Sequence, residues 1–232
     1  MKRWHYFLFC VMTMSLMLMC AYWGSRAVTV ISETLPFERE HCVVIDPGHG
    51  GEDGGATSCT GRMESEYNLA ISRRLDDLLH LLGYQTRMTR KSDVSIYTTG
   101  DTIARKKISD LKERVRIVNE TSNALLVSIH QNQFSDSRYS GAQVFYAKTD
   151  GSKELAQALQ GKLVTALNPY SNRKSKLVSG VYLMENIRCT GVLVECGFLS
   201  NAQEEAMLRD GEYQKKLCCV IASVISQHLA DA

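Results

Sequence analysis

Cys42-Val43-Val44-Ile45-Asp46-Pro47-Gly48-His49-Gly50-Gly51 is the stretch from which the fold can be read. Cys42 to Ile45 is an unbroken apolar run closed by Asp46-Pro47-Gly48, so it reads as a buried strand entering a glycine-rich turn. From Glu64 the period changes. Tyr67, Ala70, Ile71, Leu75, Leu78, Leu79 and Leu82 recur at helical spacing, interrupted once by Arg74, and Gly83 stops the helix as a C-cap glycine does. Further along, Tyr84 to Thr89, Ala124 to His130, Gly141 to Ala147 and Gly191 to Cys196 read as strands. Leu111 to Asn119, Glu154 to Leu167 and Tyr213 to Leu229 read as helices. Ser200 with Gln203 predicts a capping box for one more helix. Residues 90–110 and 168–180 show no clear period and read as long loops. Strands alternating with helices predict an α/β domain, a mostly parallel sheet with helices on both faces.

In open sheets of this class, ligands bind beyond the carboxyl ends of the strands. The first strand is followed by His49 among Gly48, Gly50, Gly51 and Gly54; the third ends in His130-Gln131-Asn132; the fifth ends in Glu195-Cys196. Glu64 opens the helix that returns from the first loop. Two His and two Glu thus converge on one edge. Two His and one carboxylate are a catalytic zinc set, which leaves one position for water and acidifies it. A second carboxylate outside that set can move the proton to a leaving amine, and Glu195, fixed by its strand, suits that role. Asp46 is placed to orient His49, as metal-bound His commonly needs. Gln131 and Asn132 lie within reach of substrate, with a plain loop role as the alternative. Arg105, Lys106 and Lys107 read as a solvated basic face, with contact to acidic substrate groups as the second reading. His5, His41, His80 and His228 read as structural. The glycine-rich loop lacks the Lys-Ser/Thr of a P-loop and the spacing of a dinucleotide fingerprint. A thiol hydrolase built on Cys196 and His130 is the rival chemistry, although buried Cys is more often inert.

The 232 residues carry 27 Lys+Arg and 25 Asp+Glu, a net +2 that gives no footprint for nucleic acid. Eight Cys are too few for a disulfide scaffold, and sequence alone does not give their pairing. Lys2 and Arg3 precede an apolar run from Trp4 to Trp23, hydrophobic all round and long enough to span a bilayer, with the basic residues on the cytoplasmic side. Residues 1–27 are thus a membrane anchor, or a signal peptide cleaved after Ser25-Arg26-Ala27. Residues 28–41 read as a polar stalk and 42–232 as the catalytic domain. The domain is expected to lie outside the cytoplasm.

VVIDPGHGGEDGGA (43–56), ESEYNLAIS (64–72), LVSIHQN (126–132) and LVECGFLSN (193–201) resemble the zinc-dependent N-acetylmuramoyl-L-alanine amidases of the amidase-3 family. The resemblance implies a sheet of about six strands. It also implies His49, Glu64 and His130 as zinc ligands and Glu195 as the catalytic glutamate. The implied reaction cuts the amide between N-acetylmuramic acid and L-alanine of the peptidoglycan stem peptide. Residues 97–119, SGAQVFY (140–146) and NRKSKLVSGVYLMENIRCTGVLVECGFLSN (172–201) are most similar to the germination-specific, spore-cortex branch. That branch implies a role in muramic-δ-lactam formation with a polysaccharide deacetylase as pathway partner. With no wall-binding repeat in the chain, an accessory envelope protein is a further expected partner. A general vegetative wall amidase and a non-catalytic wall-binding protein are the alternatives. Ser65 and Cys196 depart from the family's usual residues, and neither is an expected ligand.

Overall fold

The computed structural model describes residues 4–6, 11–23 and 40–231. The chain divides into two units, Met1–Glu38 and Arg39–Ala232. In the first, α1 (Trp4–Trp23) is 20 residues long with mean hydropathy 1.7, long and apolar enough to cross a membrane. The expected cleavage site at 25–27 and stalk residues 28–39 lie outside the described residues.

The second unit follows the order β1 (Cys42–Pro47), α2 (Glu64–Leu81), β2 (Gln85–Met88), α3 (Ile103–Asn119), β3 (Ala124–Asn132) and β4 (Gln143–Tyr146). It continues with α4 (Ser152–Leu167), β5 (Lys176–Leu177), α5 (Tyr182–Asn186), β6 (Thr190–Phe198), α6 (Ala202–Arg209) and α7 (Gly211–Ala230). The six strands lie in the order β2-β1-β3-β6-β4-β5. All neighbours are parallel except β4 and β6, which are antiparallel. The α/β fold and mostly parallel six-stranded sheet match expectation.

Because side chains alternate along a strand, each strand divides its residues between two cores. Val43, Ile45, Leu125, Val127, Ile129, Val192 and Val194 face the α2, α4 and α7 side, where Ile71, Leu75, Leu159 and Ile221 meet them. Val44, Leu126 and Leu193 face the α3 and α5 side with Val118, Leu183 and Met184. Each such Val, Leu or Ile, once fully buried, contributes roughly 1.5–3 kcal/mol. The same alternation sends Asp46, Ser128, His130 and Glu195 to the α3 and α5 side, near the carboxyl ends of their strands.

Three local expectations are corrected. The helix read at Leu111 starts at Ile103, where the Thr102 side chain accepts from the Arg105 amide. Its buried residues are Ser109, Arg114, Ile117 and Val118, so no apolar stripe marked its first half. The capping box at Ser200 and Gln203 does not form. Asn201 caps α6 by accepting from the amides of Gln203 and Glu204, while the Ser200 hydroxyl accepts from the Phe134 amide. Residues 168–180, read as a loop, contain β5.

Candidate metal centre and catalytic cleft

The loop after β1 is held in a costly conformation. His49 has φ 60°, in the left-handed region that side chains seldom adopt. Two buried arginines grip the carbonyls on its path. Arg114 of α3 donates to the carbonyls of Pro47 (2.8 Å) and His49 (2.7 Å). Arg90 donates to those of Pro47 (2.9 Å), Gly48 (3.0 Å) and Ser65 (2.9 Å). Arg90 also ties the loop to α2 through Ser65. Its own burial, with Arg114 beside it, lowers its guanidinium to about 10. Gly48 is required for space, because a Cβ there would lie 2.2 Å from the His130 ring. At Gly55 (φ 70°) a Cβ would lie 2.6 Å from a Glu64 oxygen and 2.7 Å from the His49 ring.

Against this loop stand Glu64, the first residue of α2, and His130 on β3. Glu64 Oε2 lies 3.3 Å from His49 Nε2, and Oε1 lies 3.0 Å from His130 Nδ1. Donor atoms of His49, Glu64 and His130 all fall within 4.8 Å of one another. The carboxylate is set by amides from three parts of the chain: Ala56 N (2.9 Å), Gln131 N (3.1 Å) and Asn68 Nδ2 (3.2 Å). Its place at a helix N-terminus favours negative charge. Burial alone would raise the Glu64 carboxyl, but His130 and His49 outweigh it and hold it well below the usual range. For His49, burial is likewise outweighed by Glu64 and Asp53, which raise it.

Glu195 stands in parallel register with His130 across β3 and β6, so both side chains leave the same face. It lines a cleft of about 300 Å³ with His49, His130, Val181, Leu183 and Leu193. Its Oε2 is buried without a hydrogen-bond partner among the described residues. Burial pushes its carboxyl up to about 7, with His130 opposing the rise. A buried acceptor with no partner costs stability, and this one, lining the cleft, is open to a donor that enters it. Two glycines that clear room for the ligand side chains and a converging set of two imidazoles and one carboxylate together fit a divalent cation such as zinc.

The sequence suggested Asp46 as the partner of His49, and the structure corrects this. Asp46 accepts from Thr89 (2.6 Å), Arg114 (2.7 Å) and Ser128 (2.7 Å), so it anchors the loop through Arg114. The carboxylate that meets His49 Nδ1 is Asp53 (3.1 Å), which Lys107 pairs at 3.0 Å. Lys106 pairs with Glu52 of the same loop at 2.9 Å, and Arg105 pairs with Asp101 at 2.8 Å. The basic cluster is therefore largely a clamp on the His49 loop. Gln131 is buried and bonds to Asn68 (3.2 Å) inside the fold, which removes it from substrate contact. Asn132 is half-buried, and its carbonyl accepts from Leu199 N at 2.8 Å. Cys196 points into the opposite core, and burial raises its thiol well above the ordinary range, so it does not serve as a nucleophile beside His130. Cys20, Cys42, Cys59, Cys189, Cys196, Cys218 and Cys219 are free thiols.

Comparison with known proteins places the chain among relatives of known family. Residues 43–227 match the amidase-3 family, described as N-acetylmuramoyl-L-alanine amidase. The germination-specific N-acetylmuramoyl-L-alanine amidase of Bacillus subtilis is 36% identical over 192 residues, covering 82% of this chain and 80% of that protein. Among solved structures, the CwlD amidase of Clostridioides difficile, in complex with the GerS lipoprotein, matches with a TM-score of 0.78 and 36% identity. That match covers 83% of this chain and 100% of the other. An N-acetylmuramoyl-L-alanine amidase from Clostridium difficile 630 matches with a TM-score of 0.72 and 30% identity, covering 83% and 98%. The chain belongs to the N-acetylmuramoyl-L-alanine amidase family of peptidoglycan hydrolases.

Proposed function

We propose that the protein is a zinc-dependent amidase that cuts between the lactyl group of N-acetylmuramic acid and L-alanine of the stem peptide. The observation that carries this reading is the convergence of His49, Glu64 and His130 beside the unpartnered Glu195 oxygen. His49, Glu64 and His130 would hold the zinc, which when bound supplies a Lewis acid for the scissile carbonyl and an acidified water. Glu195 accepts the proton of the attacking water and returns it to the L-alanine nitrogen as the amide breaks. A carboxyl near 7 suits both halves of that transfer. Asp53 holds the His49 ring through Nδ1 and leaves Nε2 turned toward Glu64. Arg114 and Arg90 keep the strained His49 backbone in place. Purified peptidoglycan digested with the protein and zinc should release peptides beginning with L-alanine, read by mass spectrometry. Glu195→Gln should bind zinc and lose turnover; full activity in that variant refutes the assignment.

The 36% identity to a germination-specific amidase supports a role in spore cortex, supplying muramic acid stripped of its peptide for deacetylation and muramic-δ-lactam closure. The relative solved with a lipoprotein supports a membrane-attached partner for this chain. The apolar α1 supports an extracytoplasmic enzyme held at, or exported through, a membrane. Cortex from a strain lacking the gene should contain no muramic-δ-lactam. Unchanged lactam content would instead assign the protein to vegetative wall turnover.

A further inference from the structure

The sheet reverses direction once, between β6 and β4. The amino ends of β4 and β5 therefore reach the same edge as the carboxyl ends of β1, β3 and β6, which carry His49, His130 and Glu195. The segments preceding β4 and β5 enclose a second cleft there, of about 850 Å³. Arg138, Arg173, Lys174 and Lys176 line it together with Tyr139 and Tyr170, and no acidic residue does. Asp136 pairs with Arg138. Among the described residues, no carboxylate is within ion-pair reach of Arg173, Lys174 or Lys176. Arg173 is fixed in place: it donates to the Ser140 carbonyl (2.9 Å) and Gln143 Oε1 (3.4 Å), and lies over the Phe198 ring at 4.8 Å. Gln143 lines this cleft and also pairs in antiparallel register with Glu195, so the two side chains stand side by side on one face. The Gln143 amide itself turns to Gln160 Oε1 (3.0 Å) and the Lys174 carbonyl (2.6 Å), so it is the strand pairing that sets the basic cleft beside the proposed proton carrier. The buried Glu204 carboxylate shares the field of Arg173, whereas Lys174 and Lys176 have no carboxylate partner among the described residues, so the concave wall keeps a net positive charge that attracts an anion.

Resting on the amidase reading above, we infer that this cleft binds the carboxylate-bearing stem peptide while its amide is cut. Charge decides which side of the substrate lies there. In the intact substrate the muramic acid carboxyl is consumed in the scissile amide, so the sugar side is neutral, and the free carboxylates belong to the peptide. Arg173 fixes one carboxylate, and Lys174 and Lys176, both exposed, attract the rest.

The test compares two defined disaccharide-peptides, one with free carboxylates and one with them amidated, using the full chain in detergent with zinc. The free acid should show the lower KM, and that advantage should shrink as salt is raised. Lys174→Gln/Lys176→Gln should raise KM for the free acid about tenfold, the combined effect of two exposed ion pairs, and leave kcat unchanged. KM for the amidated substrate should not move. Equal KM for both substrates in the wild type, or an equal shift for both in the variant, overturns the inference. Failure to cut either substrate would refute the amidase reading instead. NMR titration with the free stem peptide then decides the cleft: binding that the double variant loses supports it, and binding that the variant keeps overturns it. Occupation by a phosphodiester wall polymer that the peptide does not displace also overturns it.

Discussion

Asp46→Asn removes one charge and almost no volume, and its cost can be worked from the contacts. Asp46 is 1% exposed, with Oδ1 shared by Thr89 and Arg114 and Oδ2 taken by Ser128. Burial alone would raise its carboxyl, but Arg114 and the two hydroxyls outweigh it and hold it at about 2 instead of 3.8. A carboxyl lowered on folding stabilises above its unfolded value and loses that contribution as pH falls. Here the contribution is roughly 2 kcal/mol, present above about pH 4 and gone near pH 2. Removing the charge outright also leaves Arg114, 3% exposed at its side chain, with Asp110 as its remaining carboxylate. One-sided loss of a buried pair costs about 3–5 kcal/mol, and Asp110 offsets part, so about 3 kcal/mol is expected at pH 7. Urea unfolding of the detergent-solubilised chain, followed by circular dichroism, should show a lower midpoint with an unchanged slope. The gap to wild type should narrow between pH 4 and 2. Asp46→Asn/Arg114→Met should recover only a small part of the loss, because it removes the uncompensated Arg114 charge but leaves the Pro47 and His49 carbonyls without their donor and Asp110 without its arginine. A loss under about 1 kcal/mol at pH 7, or a gap indifferent to acid, would refute the anchoring role.

Gly48→Ala forces the His130 ring from its place, so zinc affinity should fall at least about tenfold while far-ultraviolet dichroism is retained; competition with a chromophoric chelator measures it. Exhaustive chelation should abolish turnover and added zinc should restore it, whereas surviving activity would exclude a metal mechanism. Cys196→Ala should keep kcat/KM within about twofold and lower stability by about 1 kcal/mol, because it removes only a small buried group.

The residues at the carboxyl ends of the parallel strands were legible in the sequence. The apolar runs at Cys42, Ala124 and Gly191 define those strands; His49 lies just beyond the end of β1, and His130 and Glu195 lie within the last residues of β3 and β6. The residues that aim His49 were not legible. Asp53 lies in a loop of glycines and acids, where a carboxylate normally faces water. Arg90 and Arg114 are cations whose burial depends on backbone carbonyls brought together only by the fold. The first half of α3 turns polar residues inward, so hydrophobic period does not reveal it. β4 and β5, at four and two residues, are too short to announce direction. The basic cleft precedes its strands, so the rule that ligands sit beyond strand ends does not point to it.

The antiparallel step between β6 and β4 has a consequence for how such a protein can diversify. The chemistry hangs from loops that leave the central strands, while the cleft hangs from loops that enter two strands on the β5 side of the sheet. Lengthening or recharging 138–142 or 168–175 need not move the backbone of His49, Glu64 or His130. The charge of the second cleft can thus drift while the arrangement of His49, Glu64 and His130 stays constant.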